Sequence, residues 1–345
     1  MFTNFHKARA FAAAAMFAMG AAATPAAAQT APLPIAGPDA GDAVPGITDG
    51  VGREVFETAG VAGQALDRRL DGDASGVWGQ FVVRGSEQQA LSSLADGYDS
   101  DQIIVTAGAD FEAFDGVKLG VVASYADISN QDVRGDTTPT ETSDAESLKL
   151  GIYAGVEMWD RGFLNAEFAY LTGEAETARN GAFGAIASEF GFEGFFGRAT
   201  LGYDLLPDED VSITPTIGIS FARVNFDDAQ ETGGFNFLVE RGDAEYAELR
   251  GGVAFGATLS EGVKGFISGT MIRDLEGSIR SFRLNSTQLP TFSMVLPRRE
   301  LDRFELAAGV SVDLTDDIAL DLGYQGDFND GYAAHAARAS VRIAL

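Results

Sequence analysis

Residues 317–328 read Asp-Ile-Ala-Leu-Asp-Leu-Gly-Tyr-Gln-Gly-Asp-Phe. Ile318, Leu320, Leu322, Tyr324, Gly326 and Phe328 fall on one face; Asp317, Ala319, Asp321, Gly323, Gln325 and Asp327 fall on the other. A period of two is the mark of a strand with one apolar face. The run exceeds the usual ~5–6 residues of a globular strand and matches the ~9–11 that a tilted strand needs to cross a bilayer.

The same pattern recurs outward from this stretch. Phe304, Leu306, Ala308, Val310, Val312 and Leu314 alternate with Arg303, Glu305, Ala307, Gly309, Ser311 and Asp313. The segments 147–158, 211–222 and 247–259 behave alike, whereas 262–273 is ambiguous, with Phe266 and Ile272 opposite Val263 and Ile267. Strands are expected at 76–86, 102–113, 116–128, 146–158, 161–173, 190–206, 210–225, 244–259, 262–275, 301–315, 317–328 and 333–345. An even number of strands is what a bacterial single-chain barrel requires. The joins sort by length: 114–115, 159–160, 207–209, 260–261 and Asp316 are short, while 87–101, 129–145, 174–189, 226–243 and 276–300 are long; 329–332 breaks the alternation. Short turns at one end and long loops at the other are the habit of an outer-membrane barrel.

The polar faces carry Lys149, Glu157, Arg198, Asp204, Glu248, Arg250, Asp321 and Arg342. A dry core would not accept so many charges, so these are expected to face a hydrated lumen while the apolar faces meet lipid. Trp159, Phe111, Phe114, Tyr203, Tyr125 and Tyr170 stand near strand ends and suit interfacial girdles.

Composition excludes other classes. The chain has 345 residues, a formal net charge of -27, two His and no Cys. The acid excess argues against nucleic acid as a partner. Without Cys there are no disulfides, thiolate nucleophiles or Cys-type metal sites. His6 belongs to the leader and His335 stands alone, so no catalytic imidazole constellation is visible and no enzyme, metal or cofactor is expected.

The N-terminus reads as a secretion signal over residues 1–28: Lys7 and Arg9, an Ala-rich apolar stretch from Phe11 to Ala23, then Ala26-Ala27-Ala28 before Gln29. Residues 29–50 form a short Pro/Gly/Ala-rich leader. Within 51–75, Val51, Val55, Ala59, Ala62, Leu66 and Leu70 line one face of a helix, with Arg53, Glu54, Glu57, Asp67, Arg68 and Arg69 elsewhere around it. Such a helix suits either the surface of a β domain or the inside of a polar tube. Residues 76–345 are the barrel.

Several stretches carry a family resemblance. Gln64-Ala-Leu-Asp-Arg-Arg-Leu70 followed by Gly76-Val-Trp-Gly-Gln80 resembles the helix-to-first-strand junction of autotransporter translocator domains, the type V secretion family. Ala107-Gly-Ala-Asp-Phe111, Leu119-Gly-Val-Val-Ala-Ser-Tyr125, Leu150-Gly-Ile-Tyr-Ala154, Leu201-Gly-Tyr203 and Thr214-Pro215 are similar to its later strands. The resemblance implies a monomeric, all-β, transmembrane antiparallel barrel of about 12 strands in the outer membrane, with the helix in its lumen. It implies insertion by the barrel-assembly machinery with periplasmic chaperones, outer-membrane lipid as surroundings, and delivery of an N-terminal segment to the cell surface. Residues 29–50 would be a vestigial passenger, and with no Asn in 29–75 the leader is expected to stay attached. Arg53, Arg68 and Arg69 would oppose lumen acids such as Glu157, Asp204, Glu248 and Asp321. The alternative is a porin-like channel for small solutes.

Overall fold

Twelve long strands pair in chain order and then return to the first. The computed structural model describes residues 51–61, 75–89, 97–133, 141–159, 161–181, 184–206, 210–233, 237–277, 281–285, 291–295 and 302–345. The chain divides into two units between Ala40 and Gly41, and every described residue belongs to the second. The barrel strands are β1 (Gly76–Gln88), β2 (Gly97–Phe114), β3 (Val117–Val133), β4 (Glu141–Met158), β5 (Gly162–Gly181), β6 (Gly184–Tyr203), β7 (Val211–Phe226), β8 (Ala244–Ser260), β9 (Val263–Gly277), β10 (Arg303–Asp313), β11 (Ile318–Asn329) and β12 (Tyr332–Ala344). Each pairs antiparallel with the next. β12 pairs with β1 along its whole length, from Gly76↔Ala344 to Gln88↔Tyr332, so the sheet closes on itself. Closure removes the open edges that lipid could not hydrogen-bond. Among the described residues no helix is long and apolar enough to cross a membrane; here strands do the crossing.

The apolar faces point outward. Ile152, Val121, Ile217, Ile267, Leu322 and Val105 are all about half exposed or more, while Thr106, Ser124, Lys149 and Gln325 on the opposite faces are buried. The ambiguous run in β9 resolves by register. Gly265, Ile267 and Met271 lie beside the outward Val310, Ala308 and Phe304, so Phe266 and Ile272 face the lumen. Phe111, Phe114, Trp159 and Tyr203 are exposed near the short-turn end, and Tyr125 and Tyr170 mark the opposite boundary. On β3, Val117 to Tyr125 spans nine residues, enough for a tilted crossing.

Beyond Tyr125 and Tyr170 the polarity of the wall reverses. Asp127, Glu146 and Glu174 are partners across β3–β5, and Asp144, Glu176 and Glu189 across β4–β6; all six are exposed. Ile128, Ala145, Ala175, Phe190 and Phe192 on the inner face are buried. This reversal corrects the expected loops. The join expected at 174–189 is strand almost throughout, since β5 and β6 run on to the pair Gly181↔Gly184. The join expected at 129–145 shrinks to 134–140 for the same reason. Alternation continues there with acids outside and apolar residues inside, as in a water-soluble sheet. The loop-end joins 227–243 and 278–302 also carry short strands of their own, Ala229–Gln230, Leu238–Arg241, Ser281–Asn285 and Phe292–Val295, which form a small second sheet.

Ile152 lies on the lipid face near the middle of the band. Ile152→Arg should destabilise the barrel by about 2–4 kcal/mol. Glu176→Arg, in the acid row beyond the band, should leave stability unchanged or raise it. Urea titration in lipid vesicles, followed by heat-modifiable gel mobility, compares the two.

Candidate functional site

The site is a helix held inside the ring. Residues 51–61 form α1, and every one of them except Gly60 is buried. The remainder of the expected helix, with Asp67, Arg68 and Arg69, lies outside the described residues. Two kinds of contact seat α1. Phe56 stacks on Tyr246 (centroids 5.2 Å apart, planes 12° apart) and meets Phe196 at 6.2 Å. Val51, Val55 and Ala59 belong with them to one apolar cluster that includes Ile128, Leu171, Phe190, Phe192 and Phe226. The lumen around and beyond α1 toward the loop end is therefore packed, where a hydrated interior was expected. Toward the turn end an open cavity of about 330 Å³ remains, lined by both polar and apolar residues, including Asp210, Ser212, Thr258, Lys264, Phe266 and Ser311.

The second kind of contact is charge. Arg53 pairs with Glu248 (3.0 Å) and Asp274 (3.4 Å), and within the helix with Glu57 (2.6 Å). Glu57 accepts from Arg303, which also reaches Glu248 at 2.7 Å. Arg250 lies 3.6 Å from Glu248 and 2.5 Å from Glu305. Glu54 accepts from Arg84, Ser86, Tyr98 and Gln102. At the other end of the helix, Lys149 donates to the Ala59 carbonyl (3.2 Å) and Arg198 to that of Gly60 (3.4 Å). The last carbonyls of a helix lack internal partners and carry its negative end, so cations belong there. Lys149 is itself paired with Glu167 at 2.6 Å.

The structure thus brings Arg53, Glu54, Glu57, Lys149, Arg198, Glu248 and Arg250 together. It places the other candidates elsewhere. Arg342 and Asp321 pair with each other at 3.1 Å, with Ser311 and Ser340 as neighbours. Glu157 is exposed near the turn-side end of β4. Asp204 falls past the end of β6, which stops at Tyr203, and there its carboxylate accepts from the Leu206 amide. Arg84, Asp274, Arg303, Glu167, Tyr98 and Gln102 were not singled out from sequence. The polar-face position of Arg84, Gln102, Glu167 and Arg303 was readable, whereas Tyr98 fell in the expected 87–101 join and Asp274 just past the ambiguous run; the height of α1 against all six was not readable.

A second polar cluster sits on β1, β2 and β4 nearer the turn end. Trp78 donates to Tyr153 (2.9 Å), Tyr153 to Asp110 (2.7 Å), and the Gly76 amide to Asp110 (3.2 Å). Both rings lie on glycines. A Cβ at Gly108 would stand 2.6 Å from Trp78, and one at Gly120 would stand 2.3 Å from Tyr153.

A twelve-strand ring around a buried, charge-matched helix can now be set beside known proteins. The family model described as autotransporter beta-domain matches residues 77–325. The chain belongs to the autotransporter β-domain family. Outer membrane protein B of Rickettsia prowazekii is 24% identical over 314 residues, covering 83% of this chain and 18% of that protein. The Rickettsia rickettsii protein of the same name is 22% identical over 303 residues, covering 81% and 18%. This autotransporter β-domain therefore spans less than a fifth of those relatives. Among solved structures, the translocator domain of NalP from Neisseria meningitidis superposes with a TM-score of 0.65 at 14% identity, over 84% of this chain and 95% of that one. The transport unit of AIDA-I from Escherichia coli gives 0.62 at 13% identity, over 84% and 99%. The β-domain is an outer-membrane protein.

Arg303→Met would leave Glu57 and Glu248 short of a buried cation and should cost about 3–5 kcal/mol. Gly120→Ala should push Tyr153 off its hydrogen bonds for about 1–3 kcal/mol. The temperature at which each variant loses its heat-modifiable mobility measures both.

Proposed function

We propose that this β-domain holds an N-terminal segment in its pore, hands that segment toward the cell surface, and keeps α1 behind as a plug. The observation that carries the reading is α1 itself. Its charges are matched one by one to the wall by Glu248, Asp274, Arg303 and Arg84, which is costly to build unless the helix is a resident. Its direction supports export. Glu54 meets Tyr98, near the loop-side start of β2, whereas Ala59 and Gly60 meet Lys149 and Arg198 farther toward the turns. The N-terminal end of α1 is thus turned to the loop end, the side that faces outward in such barrels. On this reading the domain works as a monomer in outer-membrane lipid, inserted by the barrel-assembly machinery and escorted there by periplasmic chaperones, and it performs no covalent chemistry.

The porin-like reading makes the opposite forecast for current. Deleting residues 51–61 should raise single-channel conductance in planar bilayers several-fold. Equal conductance with and without the segment would sink the plug, and a steady open current from the intact chain would favour the channel.

A further inference from the structure

We infer that the pocket around Arg84 is a carboxylate receptor that sets the axial register of α1, with Glu54 as the positioning residue it reads. The inference rests on the plug reading above and adds which contact stops the helix where it stands.

Glu54 is fully buried. Its Oε2 accepts from Arg84 Nη1 at 2.8 Å and from Gln102 Nε2; its Oε1 accepts from Tyr98 at 3.0 Å and from Ser86 at 3.2 Å. An ionised carboxylate has about four lone-pair sites, so these donors saturate it. Arg84 is 1% exposed, and its other nitrogen donates to the Tyr332 hydroxyl. Asp327 stands 4.0 Å from that guanidinium, too far for a direct hydrogen bond. With Glu54 removed, Arg84 would keep its burial and lose its close carboxylate.

The two charged clusters around α1 differ in tolerance. Arg53 and Glu57 lie among Glu248, Asp274, Arg303, Arg250 and Glu305, where both signs are available and a displaced helix could find new partners. The Arg84 pocket offers donors only to its ligand. A slip of one helical turn, about 5.4 Å, would bring in Gly50 or Val51 in one direction and Glu57 or Thr58 in the other. Of these only Glu57 carries charge, and drawing it to Arg84 would take it from Arg303, so the pocket discriminates register where the other cluster does not.

The receptor also bridges the closing seam. Tyr98 and Gln102 come from β2, Arg84 and Ser86 from β1, Tyr332 from β12 and Asp327 from β11. The first and last strands must be paired before Arg84 has its full set of neighbours. Seating of the helix is thereby coupled to closure of the ring.

The test uses the absence of Cys in this chain. Val51→Cys places a single thiol at a fully buried position of α1. In the full-length protein reconstituted in vesicles, that thiol should resist a membrane-impermeant maleimide. Adding Glu54→Gln should speed labelling by about tenfold or more, because the helix opens or slips more often. Arg84→Met should do the same, and the two together should be no faster than either alone, as one shared contact requires. Glu57→Gln should speed labelling by less than about threefold. Labelling unchanged by Glu54→Gln, or fully additive effects of the two substitutions, overturns the inference. If Glu54→Gln fails to fold, Glu54→Asp keeps the charge and withdraws it by one methylene: faster labelling then supports the receptor, and an unchanged rate overturns it. Conductance separates the two levels. If deletion of 51–61 leaves the current unchanged, the plug reading falls; if the deletion opens the pore while Glu54→Gln leaves the thiol protected, the register inference falls alone.

Discussion

In hydrocarbon a backbone amide has only other backbone to bond, and that requirement governs this molecule. A sheet meets it only by ending where it began. The Gly76–Gln88 strand and the Tyr332–Ala344 strand pair in continuous register, and beyond their last residues the Leu345 amide still reaches the Ser75 carbonyl at 3.0 Å. Once the ring is closed, the distribution of side chains follows. Lipid takes Val105, Ile152 and Leu322, and the enclosed space takes Lys149, Glu248 and Arg303. The interior is wide enough to hold a helix and narrow enough that the helix must be matched to it.

Matching is accomplished differently at different heights. Around Phe56 the lumen is aromatic and close-packed. Beside Arg53 and Glu57 it is a lattice of alternating charge. At the helix end it supplies cations to open carbonyls. Buried ion pairs are weak sources of net stability, because desolvation offsets most of their attraction. Their contribution here is specificity of position, and the apolar cluster shared by α1 and the wall supplies the attraction that holds the helix in place.

How much of this was readable in the sequence varies by region for physical reasons. Within the membrane, alternation was clear because lipid demands apolar residues on every outward position, so 317–328 and 147–158 were strands by inspection. Past Tyr125 and Tyr170 the outward residues include Asp144, Glu174, Glu176 and Glu189, and the same backbone geometry there reads as polar loop. In β9 the lumen accepted Phe266, which lies under the Arg338 guanidinium at 5.5 Å, and Ile272, which blurred the two faces. Arg53, Glu54 and Glu57 were legible as helix charges. Their partners Arg84, Asp274 and Arg303 were not, because periodicity assigns a face and leaves undetermined the stagger between strands. Arg342 and Arg303 look alike by periodicity; they differ in depth because Arg303 opens its strand at the loop end while Arg342 lies near the turn-side end of Tyr332–Ala344, and the height at which α1 sits is what one dimension leaves open.

Fluid acyl chains also explain why sequences in this family drift so far while the architecture persists. A solid core demands complementary shape at each contact, so a changed residue calls for a compensating neighbour. Hydrocarbon surroundings flow around whatever is presented, and Val, Leu, Ile and Phe become nearly interchangeable on the outward half of every strand. The inward half instead has to meet a fixed volume and charge, as the pairing of Arg53, Glu54 and Glu57 with the wall does here. Likeness of 13–14% to NalP and AIDA-I beside TM-scores above 0.6 is the expected trace of a fold whose outer neighbour is a liquid.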